Sequence, residues 1–164
     1  MPIRFPILFV VILLALFALE MTAPVQTHFV RPWTDGVAAL SGMLASSIDD
    51  GVMTSGPVIM DRATGFGVRV EAGCNGVEAM IVLAAGMLAF SAPWRLRLAG
   101  LVAGTVAVQA LNLVRVVSLF YLGQWSFAVF EFAHLYLWQA LIMLDVLIVW
   151  LLWLRWVGRT RAAG

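Results

Sequence analysis

Residues 96–122 read LRLAGLVAGTVAVQALNLVRVVSLFYL. A hydrocarbon core of about 30 Å needs about 20 apolar helical residues, and this run exceeds that. It predicts a transmembrane helix. Within it Gln109, Asn112 and Arg115 recur every third residue and so roughly share one helical face. A guanidinium in that setting costs several kcal/mol unless it finds a partner or reaches the surface. The same run carries Gly100 and Gly104, a small-xxx-small spacing that reads first as close helix packing.

The rest of the chain fits a lipid solvent. Of 164 residues, 63% are hydrophobic and only 12% charged, more apolar surface than a soluble domain of this size can bury. Three further apolar segments run about Ile3–Leu19, Val77–Phe90 and His134–Trp156. The first reads as a retained helix rather than a cleaved signal peptide, because no clear Ala-x-Ala site follows Leu19. Pro93-Trp94-Arg95-Leu96-Arg97 makes a short hairpin that sets two helices antiparallel. The fold expected is an all-α polytopic membrane protein of about four transmembrane helices, forming one domain over residues 1–164. An outward-facing insertion over about residues 20–76 separates helices one and two.

All ten basic residues are Arg. Arg4, Arg95, Arg97, Arg155, Arg159 and Arg161 fall at one set of helix ends without acidic companions, while Glu20, Asp35, Asp49, Asp50, Asp61 and Glu71 fall at the other. The positive-inside rule then puts both termini in the cytoplasm and the insertion outside. Cys74, Arg115 and His134 land near the outer leaflet. Net charge is +1 and no basic block is long enough for nucleic-acid binding.

Inside the insertion, Pro24 and Pro32 are expected to break the helix. Thr34 or Asp35 would cap a short amphipathic helix, with Val37, Leu40, Leu44 and Ile48 as a stripe that lies on the membrane or packs over the bundle. Val58–Met60 and Phe66–Glu71, around a turn at Asp61–Gly65, predict a β-hairpin. Its second strand leads to Cys74, and Gly73 and Gly76 permit a tight strand-to-helix turn there.

Cys74 is the only cysteine, so an internal disulfide is excluded. It reads either as a small apolar filler or as a nucleophile. Helix-terminal N–H groups and a nearby cation would lower its pKa, and the turn's N–H groups would hold an oxyanion. Arg115 reads either as half of a structural pair with Glu78 or Asp145, or as the cation serving the thiolate or oxyanion. His134 reads either as a helix-end residue or as an acid–base group; His28, in a Pro-flanked stretch, is its competitor. Asp145 is too deep to orient His134. No Cys-x-x-Cys, His-x-x-x-His or His-Glu-x-x-His pattern supports a metal, and no phosphate-binding glycine loop supports a nucleotide cofactor.

Ala72-Gly73-Cys74-Asn75-Gly76 at a helix start, Asn112-Leu113-Val114-Arg115 in the next helix and His134 opening the last resemble the exosortase/archaeosortase family of membrane cysteine transpeptidases, and within it the exosortase H subtype. The resemblance covers roughly Val58–Trp156. Many members carry Ser after the cysteine, where this chain has Asn75, and members typically have more membrane segments. The resemblance implies Cys74, Arg115 and His134 as catalytic residues, with Asn75, Glu78 and Asn112 supporting or orienting substrate. It also implies a location in the bacterial cytoplasmic membrane with the active site facing the periplasm. Its expected partners are exported proteins ending in a short motif, a transmembrane helix and a basic tail. It implies cleavage near the motif and transfer of the new C-terminus to an unknown acceptor, with no cofactor. The other function class compatible with the residues is a non-catalytic membrane scaffold with a structural Cys and Arg.

Overall fold

The computed structural model describes residues 4–162; the expected start of the first segment at Ile3 and the side chain of Arg161 lie outside the described residues. The chain is mostly helical. α1 (Arg4–Glu20) ends at a sharp break, and α2 (Ala23–Val25), a π-helical turn (Gln26–Val30) and α3 (Arg31–Ser46) then form one continuous rod bent 68° from it. Strands β1 (Val52–Ser55), β2 (Val58–Asp61) and β3 (Gly67–Arg69) follow. After them come α4 (Val77–Ala89), α5 (Trp94–Trp125), α6 (Phe127–Phe132), a second π turn (Ala133–Leu137) and α7 (Trp138–Ala162).

Two helical stretches are long and apolar enough to cross a membrane, Trp94–Trp125 and Phe127–Thr160, and the bent pair Arg4–Glu20 with Ala23–Ser46 makes a third if counted as one span. α4, at 13 residues, is about 20 Å long and falls short of a full crossing. α5, at 32 residues, is longer than the expected run and reaches well beyond a hydrocarbon core. Large apolar side chains stand outward on several helices, among them Leu14 (63% exposed) and Val106 (64%). Water would not tolerate that pattern over so much surface, and lipid does.

The prolines act differently from expectation. Pro24 sits in the first turn of the rod, where the missing N–H has no intrahelical partner to lose, and Pro32 follows two residues after a π turn. The π turn between them absorbs the irregularity, so the helix continues and Thr34 is interior, its hydroxyl donating to the Val30 carbonyl (2.7 Å) instead of capping. The expected stripe divides. Val37 is buried, but Leu40, Leu44 and Ile48 face outward, and Thr34, Ala38, Ser41, Gly42 and Ala45 make the inner face. Small residues win there because the sheet comes close: a Cβ on Gly42 would run into Thr54.

The hairpin is part of a three-stranded antiparallel meander, ordered β1-β2-β3. Val52–Ser55 pairs with β2, and the β2–β3 register sets Ile59 opposite Val68. Asp61 Oδ1 accepts from the N–H of Ala63 (2.6 Å) and Thr64 (3.2 Å), and Gly65 takes φ +71°, which together make the turn.

Two apolar cores result. One joins α3, the sheet and the C-terminal part of α5 through Ala38, Ile59, Val70, Val116 and Phe120. The other joins α4, α5 and α7 through Leu83, Met87, Val108, Val146 and Trp153. Gly100 and Gly104 serve the second: a Cβ on Gly104 would come within 2.6 Å of Leu83, and one on Gly100 would strike the Trp153 indole, whose Nε1 donates to the Leu96 carbonyl (2.9 Å). On α5, Asn112 and Arg115 lie between Val108 of one core and Val116 of the other.

Candidate active site

The site forms at the seam between the two cores. β3 carries the chain to Gly73 and Gly76, whose φ angles of +82° and +76° only glycine adopts cheaply. Cys74 sits between them, ahead of α4. Gly76 is also squeezed against α5: a Cβ there would collide with the Gln109 amide and approach Asn112 Nδ2 at 3.2 Å.

α5 grips this turn through three successive carbonyls. Arg115 Nη1 donates to the Gly73 carbonyl (2.9 Å), Asn112 Nδ2 to that of Cys74 (3.1 Å), and Gln109 Nε2 to that of Asn75 (3.2 Å). One helical face at three-residue spacing thus meets three consecutive residues of an extended turn. Trp33 of α3 adds its indole N–H to the Asn75 carbonyl (3.2 Å). The Asn75 side chain is fully buried; its Nδ2 donates to Thr34 Oγ1 (3.0 Å) and its Oδ1 caps the Val77 N–H (3.0 Å). A serine hydroxyl would reach only one of those two partners, which gives the Asn in this chain a physical reason.

Around the thiol, Arg115 Nη2 lies 3.6 Å and His134 Nδ1 3.8 Å from Cys74 Sγ. Arg115 is 3% exposed. Its partners are a sulfur and a carbonyl, and neither Glu78 nor Asp145 forms an ion pair with it; the ion pair seen among the described residues is Arg69 with Glu71. Glu78 instead accepts from the Gly73 N–H (2.7 Å), bracing the turn from α4. Asp145 reaches neither His134 nor Arg115 by a hydrogen bond, and its buried Oδ2 has no hydrogen-bond partner.

His134 does not open a helix. It stands within the π turn that joins α6 to α7, with its ring stacked on Phe130 (centroids 5.7 Å, planes 2° apart). π turns displace side chains from regular helical positions and recur at functional sites. The competitor His28 lies in the other π turn, exposed, with Nδ1 2.9 Å from the Pro24 carbonyl.

The expectation of a lowered thiol pKa is not met. Burial pushes Cys74 above the ordinary thiol value; Arg115 pulls it back in part, and Glu78 and Glu71 push it further up. The N–H groups expected to hold an oxyanion are partly committed as well: those of Gly73, Cys74 and Val77 already donate to Glu78, the Glu71 carbonyl and Asn75. The Arg115 Nη2 is then the donor best placed beside the sulfur. The thiol opens into a cleft of about 280 Å³, walled by β3 on one side and by Phe127, Phe130 and His134 on the other. No group of three or more His, Cys, Asp or Glu side chains among the described residues is arranged to hold a metal ion.

Gln109 and Trp33 are site residues that sequence reading missed. Gln109 was visible as part of the α5 stripe; Trp33 gave no signal, because its partner is a backbone carbonyl 42 residues away.

A family model described as transmembrane exosortase (Exosortase_EpsH) matches residues 2–153. No curated protein and no solved structure matches the chain. The chain belongs to the transmembrane exosortase family.

Proposed function

We propose that this protein is a membrane-embedded cysteine peptidase and transpeptidase that removes the C-terminal sorting signal of exported proteins. The observation that carries the reading is a thiol with an imidazole and a guanidinium both within 4 Å, brought together from three separate elements at a cleft. In the proposed reaction His134 Nδ1 takes the Cys74 proton as the sulfur attacks the scissile carbonyl. Arg115 stabilises the thiolate and the oxyanion that follows. The C–N bond breaks, His134 returns its proton to the leaving amine, and a thioester remains on Cys74. An acceptor, deprotonated in turn by His134, attacks the thioester and the thiol is regenerated. Asn112, Asn75 and Glu78 position the turn; they do not touch the reacting atoms.

The topology proposed with it places both termini in the cytoplasm, the protein in the bacterial inner membrane and the cleft toward the periplasm. Arg4, at the start of α1, Arg95 and Arg97, at the start of α5, and Arg155 and Arg159, near the end of α7, support it through the positive-inside rule. Substrates would be exported proteins with a motif, a membrane helix and a basic tail. The scaffold reading draws on the partial burial of the thiol, which pushes its pKa up as it would for a packing cysteine.

The test is co-expression with a tagged exported protein bearing such a tail, followed by intact mass of the product. Wild type is expected to yield a product lacking the tail and carrying the acceptor's added mass; Cys74→Ala should leave the substrate whole while accumulating normally. Processing by Cys74→Ala would defeat the peptidase reading, and a trimmed product with no added mass would reduce it to hydrolysis.

A further inference from the structure

The sheet has two edges with different surroundings. β1 packs toward α3, whereas β3 flanks the cleft. In the β2–β3 pair the Val70 N–H donates to the Pro57 carbonyl (2.8 Å) and the Phe66 carbonyl accepts from the Asp61 N–H (2.9 Å), with Val68 opposite Ile59. In an antiparallel pair each residue's N–H and C=O point to the same side, and the side alternates along the strand. Val68, Val70 and the Phe66 carbonyl are therefore directed at β2, while the Phe66 N–H donates to Thr64 Oγ1 (3.2 Å). Gly67 and Arg69, both exposed, direct theirs away from it, at the open edge.

That edge leads to the thiol. Gly67 through Ala72 form one wall of the 280 Å³ cleft, Cys74 lies where that wall ends, and Phe127 and Phe130 face it across the gap. A strand edge with unpaired amides is a template for one more strand, and peptide-binding domains use it that way.

We infer that the substrate segment just before the scissile bond binds as a fourth strand on β3. Its backbone pairs with the outward groups of Gly67 and Arg69, and the next residues deliver the scissile carbonyl to Cys74. It runs in the same direction as β3, so the membrane helix that follows it descends beside the bundle as α4 does. Recognition is then largely through backbone. The inference rests on the peptidase reading above.

The experiment uses the full-length protein in cells and the tagged exported substrate just described. Arg69→Pro deletes one outward N–H while leaving the β2–β3 bonds in place, a substitution that edge strands tolerate. Arg69→Ala alters the same side chain but keeps the N–H. The Pro variant is expected to process about tenfold more slowly than the Ala variant, the upper range for one lost hydrogen bond. Both must accumulate in membranes and alkylate at Cys74 like wild type. Equal processing by the two folded variants overturns strand addition.

If Arg69→Pro fails to accumulate, a proline scan of the substrate before the mapped cleavage site decides, read against an alanine scan of the same positions. Losses specific to proline at alternate positions are expected; proline tolerated throughout, or losses without alternation, overturn the inference. No processing by the wild type would refute the peptidase reading itself, and this inference with it.

Discussion

Replacing Arg115 with Met tests the charge at the centre of the site. The guanidinium Nη2 is 3.6 Å from Cys74 Sγ, and with an effective dielectric constant near 20 a full charge pair at that distance is worth about 5 kcal/mol. The thiol is half-buried and opens to a cleft, and halving the figure for solvent screening leaves roughly 2 kcal/mol. The sign is fixed by the charge: losing a cation disfavours the thiolate, so an already raised pKa goes higher. Below both pKa values the thiolate fraction, and with it the rate of alkylation by a neutral haloacetamide, should fall about 30-fold. The measurement is the alkylation rate from pH 6.5 to 10 in purified protein, with the thermal midpoint as a folding control. Wild type should still be climbing at pH 9, and the Met variant should follow the same curve displaced upward. Arg115→Lys should recover most of the displacement but not processing, because one ammonium cannot hold the Gly73 carbonyl and the sulfur as the planar fork does. Superimposed alkylation curves for wild type and Met would show that Arg115 does not act on the thiol.

Three other substitutions probe the surroundings. Gly76→Ala forces a Cβ into the Gln109 amide at a left-handed φ, and a loss of at least about 2 kcal/mol is expected, read as a lowered unfolding midpoint together with weaker processing. His134→Ala should slow processing by about 10²–10⁴-fold while Cys74 still alkylates, since the base is lost and the nucleophile is kept. Asn112→Leu leaves the Cys74 carbonyl without its buried donor; about 1–3 kcal/mol of stability should be lost, and processing should fall with no change in the pH at which the thiol titrates.

Much of this was legible in the chain because membranes impose few solutions. Apolar length announced the helices, and the rare polar residues in α5 could be read as expensive and therefore placed for a reason. Gly73 and Gly76 announced the turn through backbone sterics alone. What the sequence hid has physical causes too. Val52–Ser55 is too short to show an alternation, and it becomes a strand only because β2 lies beside it. The π turns lack any periodic signature, so Pro24 and Pro32 read as breaks and His134 as a helix start, when each lies in or beside a continuous helix. Charge and a helix end beside the thiol are visible in sequence, whereas burial, the larger effect on its pKa, is a property of packing.

That last result bears on how the site would work. A thiolate–imidazolium pair formed in advance needs a thiol acidic enough to ionise near neutral pH, and Cys74 is held the other way. The resting site is then a neutral thiol facing Nδ1 of a histidine 3.8 Å away, and the proton must leave as the sulfur attacks. Arg115 gains most in that scheme, since its charge is of little use to a neutral thiol and of full use to the thiolate and the oxyanion. The ladder of Arg115, Asn112 and Gln109 onto three carbonyls then has a mechanical purpose: it fixes the sulfur between cation and base before either is needed. If so, processing by the wild type should rise with the titration of a histidine and level off well below the pH at which Cys74 alkylation does. Coincident pH profiles for processing and alkylation would instead mean that the preformed thiolate is the reacting species.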